Sequence, residues 1–479
     1  MSLSTLGSSL VLAALLCAAF GGLVGMVTGL RGGTQGGLLW VRRAVWGFSA
    51  GMVLANLTMV YALLARDFSV QYVAQVGSHA TPTIYTLVSL WSALEGSILF
   101  WGAVMGIYLM GFMLAHRDAG SRFMSLALGT QLLVGVFFAF LIAGPANPFL
   151  PTPPPIPLDG PGPNPMLQNH WLMVVHPPML YLGYVGMTVP FGIVVAGLLS
   201  GELGERWMAP LRRWMLVPWL FLTFGIVMGA WWAYAVLGWG GYWAWDPVEN
   251  ASLLPWLTAT AFLHSTLVQE RRRLLRMWTA TLALLTFWLT LLGTFMTRSG
   301  VFNSVHAFTQ SDIGPTFLVF IAIVLVASLL LLTFRAPQLE AQGRMQALAS
   351  REGGVLVNNL VLMALTFTVL LGTVFPLVVE AVQNKRISVG EPYFNRLAVP
   401  LGLMVLLLMG LGPALPWGAA RRKDLKQLLL PTAVGVGVVA LSLLGGLRGF
   451  YPLLTFGLAG FVTVVTLRQM FLPALLRMR

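Results

Sequence analysis

The sequence predicts an all-α fold, a polytopic transmembrane helical bundle of about 13 membrane-spanning helices. Composition is the first reason. Of 479 residues, 57% are hydrophobic and 9% charged, with a mean hydropathy of +0.82, whereas a soluble domain carries about a quarter charged residues. Apolar run length is the second. A hydrocarbon core of roughly 30 Å needs about 20 apolar residues per helix. Such runs lie near 8–29, 41–65, 93–115, 122–143, 172–199, 213–237, 251–268, 274–297, 314–334, 355–380, 397–417, 427–446 and 450–470, with 251–268 the weakest. The third is the placement of basic residues in alternate connections.

Of the 28 basic residues, only Arg66, Arg298, Lys385, Arg386, Arg396 and Arg448 fall in one set of connections; all others fall in the alternate set. Basic residues stay on the cytoplasmic side and set orientation. The N-terminus is therefore expected outside and the C-terminus in the cytoplasm. The net charge of +13 is then a signature of topology, and nucleic-acid binding loses its support. The first 29 residues lack a basic leader and are long enough to span, which is not the pattern of a cleaved signal peptide.

Cys17 is the single cysteine. This excludes an internal disulfide, a cysteine-based zinc site, an iron–sulfur cluster and a Cys-x-x-Cys-His haem attachment within the chain. No soluble domain emerges, so 1–479 reads as one integral membrane domain. The longest external segments are 66–92, 144–171, 298–313 and 381–396. Segment 144–171 contains Pro151, Pro153, Pro154, Pro155, Pro157, Pro161, Pro163 and Pro165, a density that prevents helix and favours extended backbone.

The external segment 231–250 is where chemistry concentrates. Trp231, Trp232, Trp239, Trp243 and Trp245 lie there with Tyr234 and Tyr242. Gly238, Gly240 and Gly241 are interleaved, and Asp246, Glu249 and Asn250 follow. Two readings are open. Tryptophan and tyrosine form belts at membrane interfaces. Aromatic rings packed into one glycine-bearing loop also make a flat platform suited to a large, flat, mostly apolar ligand.

Six histidines occur, at 79, 116, 170, 176, 264 and 306. His176 is followed by Pro177 and Pro178; prolines at the first positions of a helix would make the histidine rigid. His306 falls in the external segment 298–313. Two histidines on one side, near an aromatic platform, could supply both axial nitrogens to a haem iron, although each alone could be an ordinary loop histidine. His264 lies deep in a spanning run, where an imidazole faces a functional interior or an interhelical hydrogen bond. Arg298 could pair with a propionate carboxylate, with Asp246 or Glu249, or anchor the helix. An ion translocator would need charged residues inside its helices, yet Lys385, Lys423 and Lys426 all sit in connections. A purely structural subunit would not need a proline-fixed histidine beside a tryptophan platform.

At these residues the sequence resembles a known family. Residues 239–250, Trp-Gly-Gly-Tyr-Trp-Ala-Trp-Asp-Pro-Val-Glu-Asn, are similar to the tryptophan-rich WWD signature of the haem-handling membrane proteins of the CcmC, CcmF and CcsA types. Two further stretches resemble the CcmF type: 176–186, His-Pro-Pro-Met-Leu-Tyr-Leu-Gly-Tyr-Val-Gly, and 293–308, Gly-Thr-Phe-Met-Thr-Arg-Ser-Gly-Val-Phe-Asn-Ser-Val-His-Ala-Phe. The resemblance implies a haem lyase of the bacterial cytoplasmic (inner) membrane, active at the periplasmic face. Such a protein receives haem from the chaperone CcmE and works with apocytochrome-handling subunits of the CcmH and CcmI kind. It attaches haem to apocytochrome c Cys-x-x-Cys-His motifs through thioether bonds, acting mainly by positioning. The resemblance further implies that His176 and His306 ligate the external haem, and that His264 ligates the iron of a structural haem b. In the family the second haem b histidine lies in a later helix, ahead of a periplasmic domain; this sequence stops at Arg479 and has no histidine after His306. Tyr242 stands where the family often has tryptophan. A haem delivery protein of the CcmC kind is the nearest alternative, but its chain is shorter and would leave the segment after His306 unexplained.

Overall fold

A computed structural model describes residues 2–168, 170–202, 205–238, 240–302, 313–341, 343–385 and 387–477. Among them, 13 helical segments are long and apolar enough to cross a membrane, and the regular structure is helical apart from one isolated bridge between Val70 and Pro151. The helices are α1 (Leu3–Leu30), α2 (Gln35–Ala65), α3 (Gln71–Val76), α4 (Thr83–Val88), α5 (Leu94–Ala115), α6 (Ser121–Ala143), α7 (Leu172–Gly186), α8 (Thr188–Ser200), α9 (Glu205–Val236), α10 (Pro247–Arg272), α11 (Arg276–Arg298), α12 (Gly314–Arg335), α13 (Arg351–Gln383), α14 (Glu391–Ala414), α15 (Arg422–Lys426), α16 (Leu429–Leu444) and α17 (Phe450–Arg477). Several start where a hydroxyl satisfies an orphan backbone donor: Ser2 accepts from Thr5 N–H, Thr34 from Gly37 N–H and Ser350 from Gly353 N–H.

The span expected at 172–199 is built from two helical pieces, α7 and α8, broken at Met187. Pro190 explains the break, because its ring has no N–H and collides with the carbonyl four residues earlier. The helix also begins earlier than the proline pair suggested. It starts at Leu172, so Pro177 and Pro178 lie inside α7 rather than at its first positions. The extra turn forms because Met173 and Val174 donate to the carbonyls of His170 and Trp171.

The described chain divides into two compact units. Met1–Ala259 and Ala280–Gln338 form one; Thr260–Thr279 and Leu339–Arg479 form the other. In the first, α1 packs on α2 and α6, α2 on α5, and α7 on α9. Polar groups tie these helices where water is absent: Asn56 donates to the Leu99 carbonyl at 2.8 Å and Ser49 to the Gly106 carbonyl at 2.9 Å. An unmade hydrogen bond in such a place costs more than a made one contributes. Connection 66–82 is stitched to the proline-rich segment: Gln71 N–H donates to the Leu150 carbonyl and Thr152 N–H to the Ser69 carbonyl, both at 2.8 Å. Asp159 accepts from the His79 N–H at 2.8 Å, and this bond holds its carboxyl below the usual carboxylate range.

In the second unit, α13 packs on α14, α14 on α17, and α16 on α17. The buried Glu352 carboxylate accepts from the Gly418 N–H at 3.0 and 3.1 Å and pairs with Arg272 at 3.4 Å. His264 lies in this unit. Its Nδ1 is 3.0 Å from the Asn358 side-chain nitrogen, and the adjacent Asn359 donates to Ser265 at 2.7 Å.

Candidate functional site

In the first unit a half-open cavity of about 220 Å³ is lined by His176, Trp232, Trp243, Glu249 and Arg298, together with residues of the α5 wall. It gathers five of the expected site residues, from α7, α9, the loop after α9, α10 and α11.

His176 is fixed by α9. Its Nδ1 lies 2.7 Å from the Gly225 carbonyl. A carbonyl only accepts, so Nδ1 carries a proton. In the neutral ring the lone pair is then on Nε2, the tautomer that a metal-ligating histidine needs. The ring packs against Gly229 at its Cε1: a Cβ there would stand 2.6 Å from Cε1 and 3.3 Å from Nε2. Only glycine leaves room for the imidazole.

The tandem tryptophans divide their tasks by helical rotation. Trp232 is buried with Leu172, Met173 and Leu237 and forms part of the cavity wall. Trp231 is 50% exposed and meets Trp171 edge to face at 5.6 Å. Tyr242, 58% exposed, stacks on Tyr234 at 4.5 Å. Trp243 enters the cavity wall and meets Trp245 at 6.0 Å. The aromatic segment therefore has two faces, one toward the cavity and one outward. Gly240 is required by its backbone, with φ at +70°. Trp239 and His306 lie outside the described residues, as does 303–312 as a whole.

The acidic end of the segment is a helix start. Asp246 accepts from the Val248 N–H at 2.9 Å, and Glu249 accepts from the Asp246 N–H at 3.2 Å. With Pro247 in the first helical position, this is a capping-box arrangement for α10. Glu249 also accepts from the Ala244 N–H at 2.9 Å. Asn250 donates to the Trp245 carbonyl at 3.0 Å, where the chain turns through a φ of +58°. Asp246, Glu249 and Asn250 thus hold the backbone that presents Trp243, and of the three only Glu249 lines the cavity.

Arg298 donates to the hydroxyls of Ser97, Thr297 and Tyr181 at 3.3, 3.1 and 3.1 Å. Its guanidinium lies 5.5 Å from the Trp101 ring and 5.6 Å from that of Tyr181. Sequence reasoning missed the wall around it: Trp91, Ser97, Trp101 and Tyr184 line the cavity with Tyr181. The buried indole nitrogens of Trp91, Trp101 and Trp243 have no hydrogen-bond partner among the described residues, a state that a bound ligand can relieve. His264 is not part of this cavity.

The family model for cytochrome c assembly proteins matches residues 91–302, the stretch that builds the cavity. The chain is 40% identical over 452 residues to the cytochrome c-type biogenesis protein CcmF of Pseudomonas fluorescens, covering 93% of this chain and 68% of that one. It is 40% identical over 403 residues to CcmF of Escherichia coli K12, covering 84% and 62%. A solved structure, the cytochrome c haem lyase CcmF, superposes with a TM-score of 0.79 at 36% identity, covering 97% of this chain and 70% of the other. The chain thus spans about two thirds of the length of these relatives.

Proposed function

The chain belongs to the CcmF family of cytochrome c-type biogenesis proteins, and on that premise we propose that it holds haem as substrate at its periplasmic face and attaches it covalently to apocytochrome c. The observation that carries this reading is His176. Its Nδ1 is anchored on the Gly225 carbonyl, and it lines a cavity walled by Trp232 and Trp243 with Arg298 at one side. That arrangement suits an axial ligand beside an aromatic wall, with a cation for a propionate.

Haem arrives from a chaperone of the CcmE kind. His176 ligates its iron from one face and His306 from the other, and the platform of residues 231–250 holds one edge of the ring. Two axial histidines keep dioxygen off the iron and leave the vinyl edge open. Subunits of the CcmH and CcmI kind present the apocytochrome. Each thioether forms by addition of a cysteine S–H across a vinyl double bond: sulfur bonds to one vinyl carbon, the proton goes to the other, and no group leaves. The cytochrome's own histidine then displaces one axial ligand. No protein nucleophile is required, and holding reactants in geometry supplies most of the effect.

A resident haem b with two histidine ligands is not completed by the residues at hand. His264 is the sole histidine of the second unit.

The test is a maturation assay on His176→Ala and His306→Ala, each read by haem stain of a reporter cytochrome after denaturing electrophoresis. Attachment is expected to be abolished in each, with the variant inserted in the membrane at the wild-type level. Normal attachment in both variants rules out the axial-ligand assignment.

A further inference from the structure

The wall that carries Arg298 holds a second donor. An arginine has no acceptor atom, so Ser97, Thr297 and Tyr181 all act as acceptors toward it. Ser97 then donates its own proton to the Leu94 carbonyl at 2.7 Å, and Thr297 donates to the Thr294 carbonyl at 3.0 Å. Tyr181 differs: no described group accepts its phenolic proton. Its ring is held edge-on by Phe100 at 5.2 Å and by Trp101 at 6.2 Å, and both Tyr181 and Arg298 line the cavity. Trp101, 3% exposed, stacks on Phe138 at 4.9 Å, so the surface beneath the guanidinium is packed in place. The result is a guanidinium and a phenolic O–H side by side, joined by a hydrogen bond that sets their spacing.

We propose that Tyr181 and Arg298 form a two-donor carboxylate subsite, in which Tyr181 lets the cavity distinguish a porphyrin free acid from its ester. One carboxylate oxygen takes the arginine N–H and the other takes the phenolic O–H. A charge-assisted bond of this kind is stronger than a neutral one, and an ester cannot carry the charge. The proposal rests on the reading of the cavity as a haem site.

The experiment titrates the detergent-solubilised 479-residue chain with haem and, separately, with haem dimethyl ester, following the Soret band. The variant is Tyr181→Phe, which keeps the ring and its contacts and removes only the hydroxyl. The wild type is expected to bind haem about tenfold or more tightly than the ester, the scale of one hydrogen bond to a charged group. Tyr181→Phe is expected to weaken haem about tenfold while its affinity for the ester stays at the wild-type value, which also reports that the cavity is folded. An undiminished preference for haem in Tyr181→Phe overturns the role of Tyr181. Equal affinities for haem and ester in the wild type overturn the carboxylate subsite while leaving the haem site standing. A wild type that binds neither overturns both.

Discussion

At the scale of single residues, His176 shows how backbone and side chain divide the work. The sequence marks it through the two prolines that follow, yet what orients the ring is on another helix, in the Gly225 carbonyl and the bare backbone at Gly229. Those partners are about fifty residues away, and glycines are too common in this sequence for one to stand out. The same holds for Ser97, Trp101 and Tyr181, which meet Arg298 across as many as 201 positions; local pattern carries no trace of such a contact. Gly229→Ala tests the arrangement. Its Cβ would sit 2.6 Å from His176 Cε1, closer than packed carbons approach, so the ring must leave and its bond to Gly225 must break. Haem attachment is expected to fall to the His176→Ala level. Gly238→Ala, where a Cβ meets nothing within 4 Å, is expected to keep wild-type attachment; equal losses in the two variants would mean that His176 is not held by this face of α9.

At the scale of elements, the segment before α10 joins a structural device to a functional one. The run Trp245-Asp246-Pro247-Val248-Glu249-Asn250 reads from sequence as aromatics ending in polar groups, and in three dimensions it is a helix start that grips its own approach loop. The cap has a signal in the spacing of an Asp, a Pro and a Glu ahead of an apolar run, one that the sequence reading passed over. The grip on Ala244 and Trp245 has none, because it depends on a left-handed turn that tryptophan rarely adopts. Glu249→Ala removes the acceptor for two backbone N–H groups. The expected cost is about 1–2 kcal/mol of stability, seen as a lower unfolding temperature in detergent. Haem retention is expected to weaken as well, since Trp243 is then no longer held in the cavity wall. Lost stability with undiminished haem binding would confine Glu249 to the cap.

At the scale of the whole molecule, the count of 13 spans was legible because length and apolarity alone decide what a bilayer accepts. Breaks inside a span, such as the one between α7 and α8, were harder to see, because a kinked helix stays as apolar as a straight one. Orientation rests on a different physics, the asymmetric placement of basic side chains, and a direct measurement can test it. Cys17 is the single cysteine, so Cys17→Ser gives a cysteine-free background. On that background Leu158→Cys reports the proline-rich segment, where the side chain is 92% exposed, and Lys423→Cys reports the connection that holds Arg421, Arg422 and Lys426. A membrane-impermeant maleimide added to intact spheroplasts is expected to label position 158 at once and position 423 only after the membrane is opened. The reverse pattern would invert the topology. It would also place His176, on the same side as segment 144–171 in the proposed orientation, out of reach of an apocytochrome delivered from the periplasm.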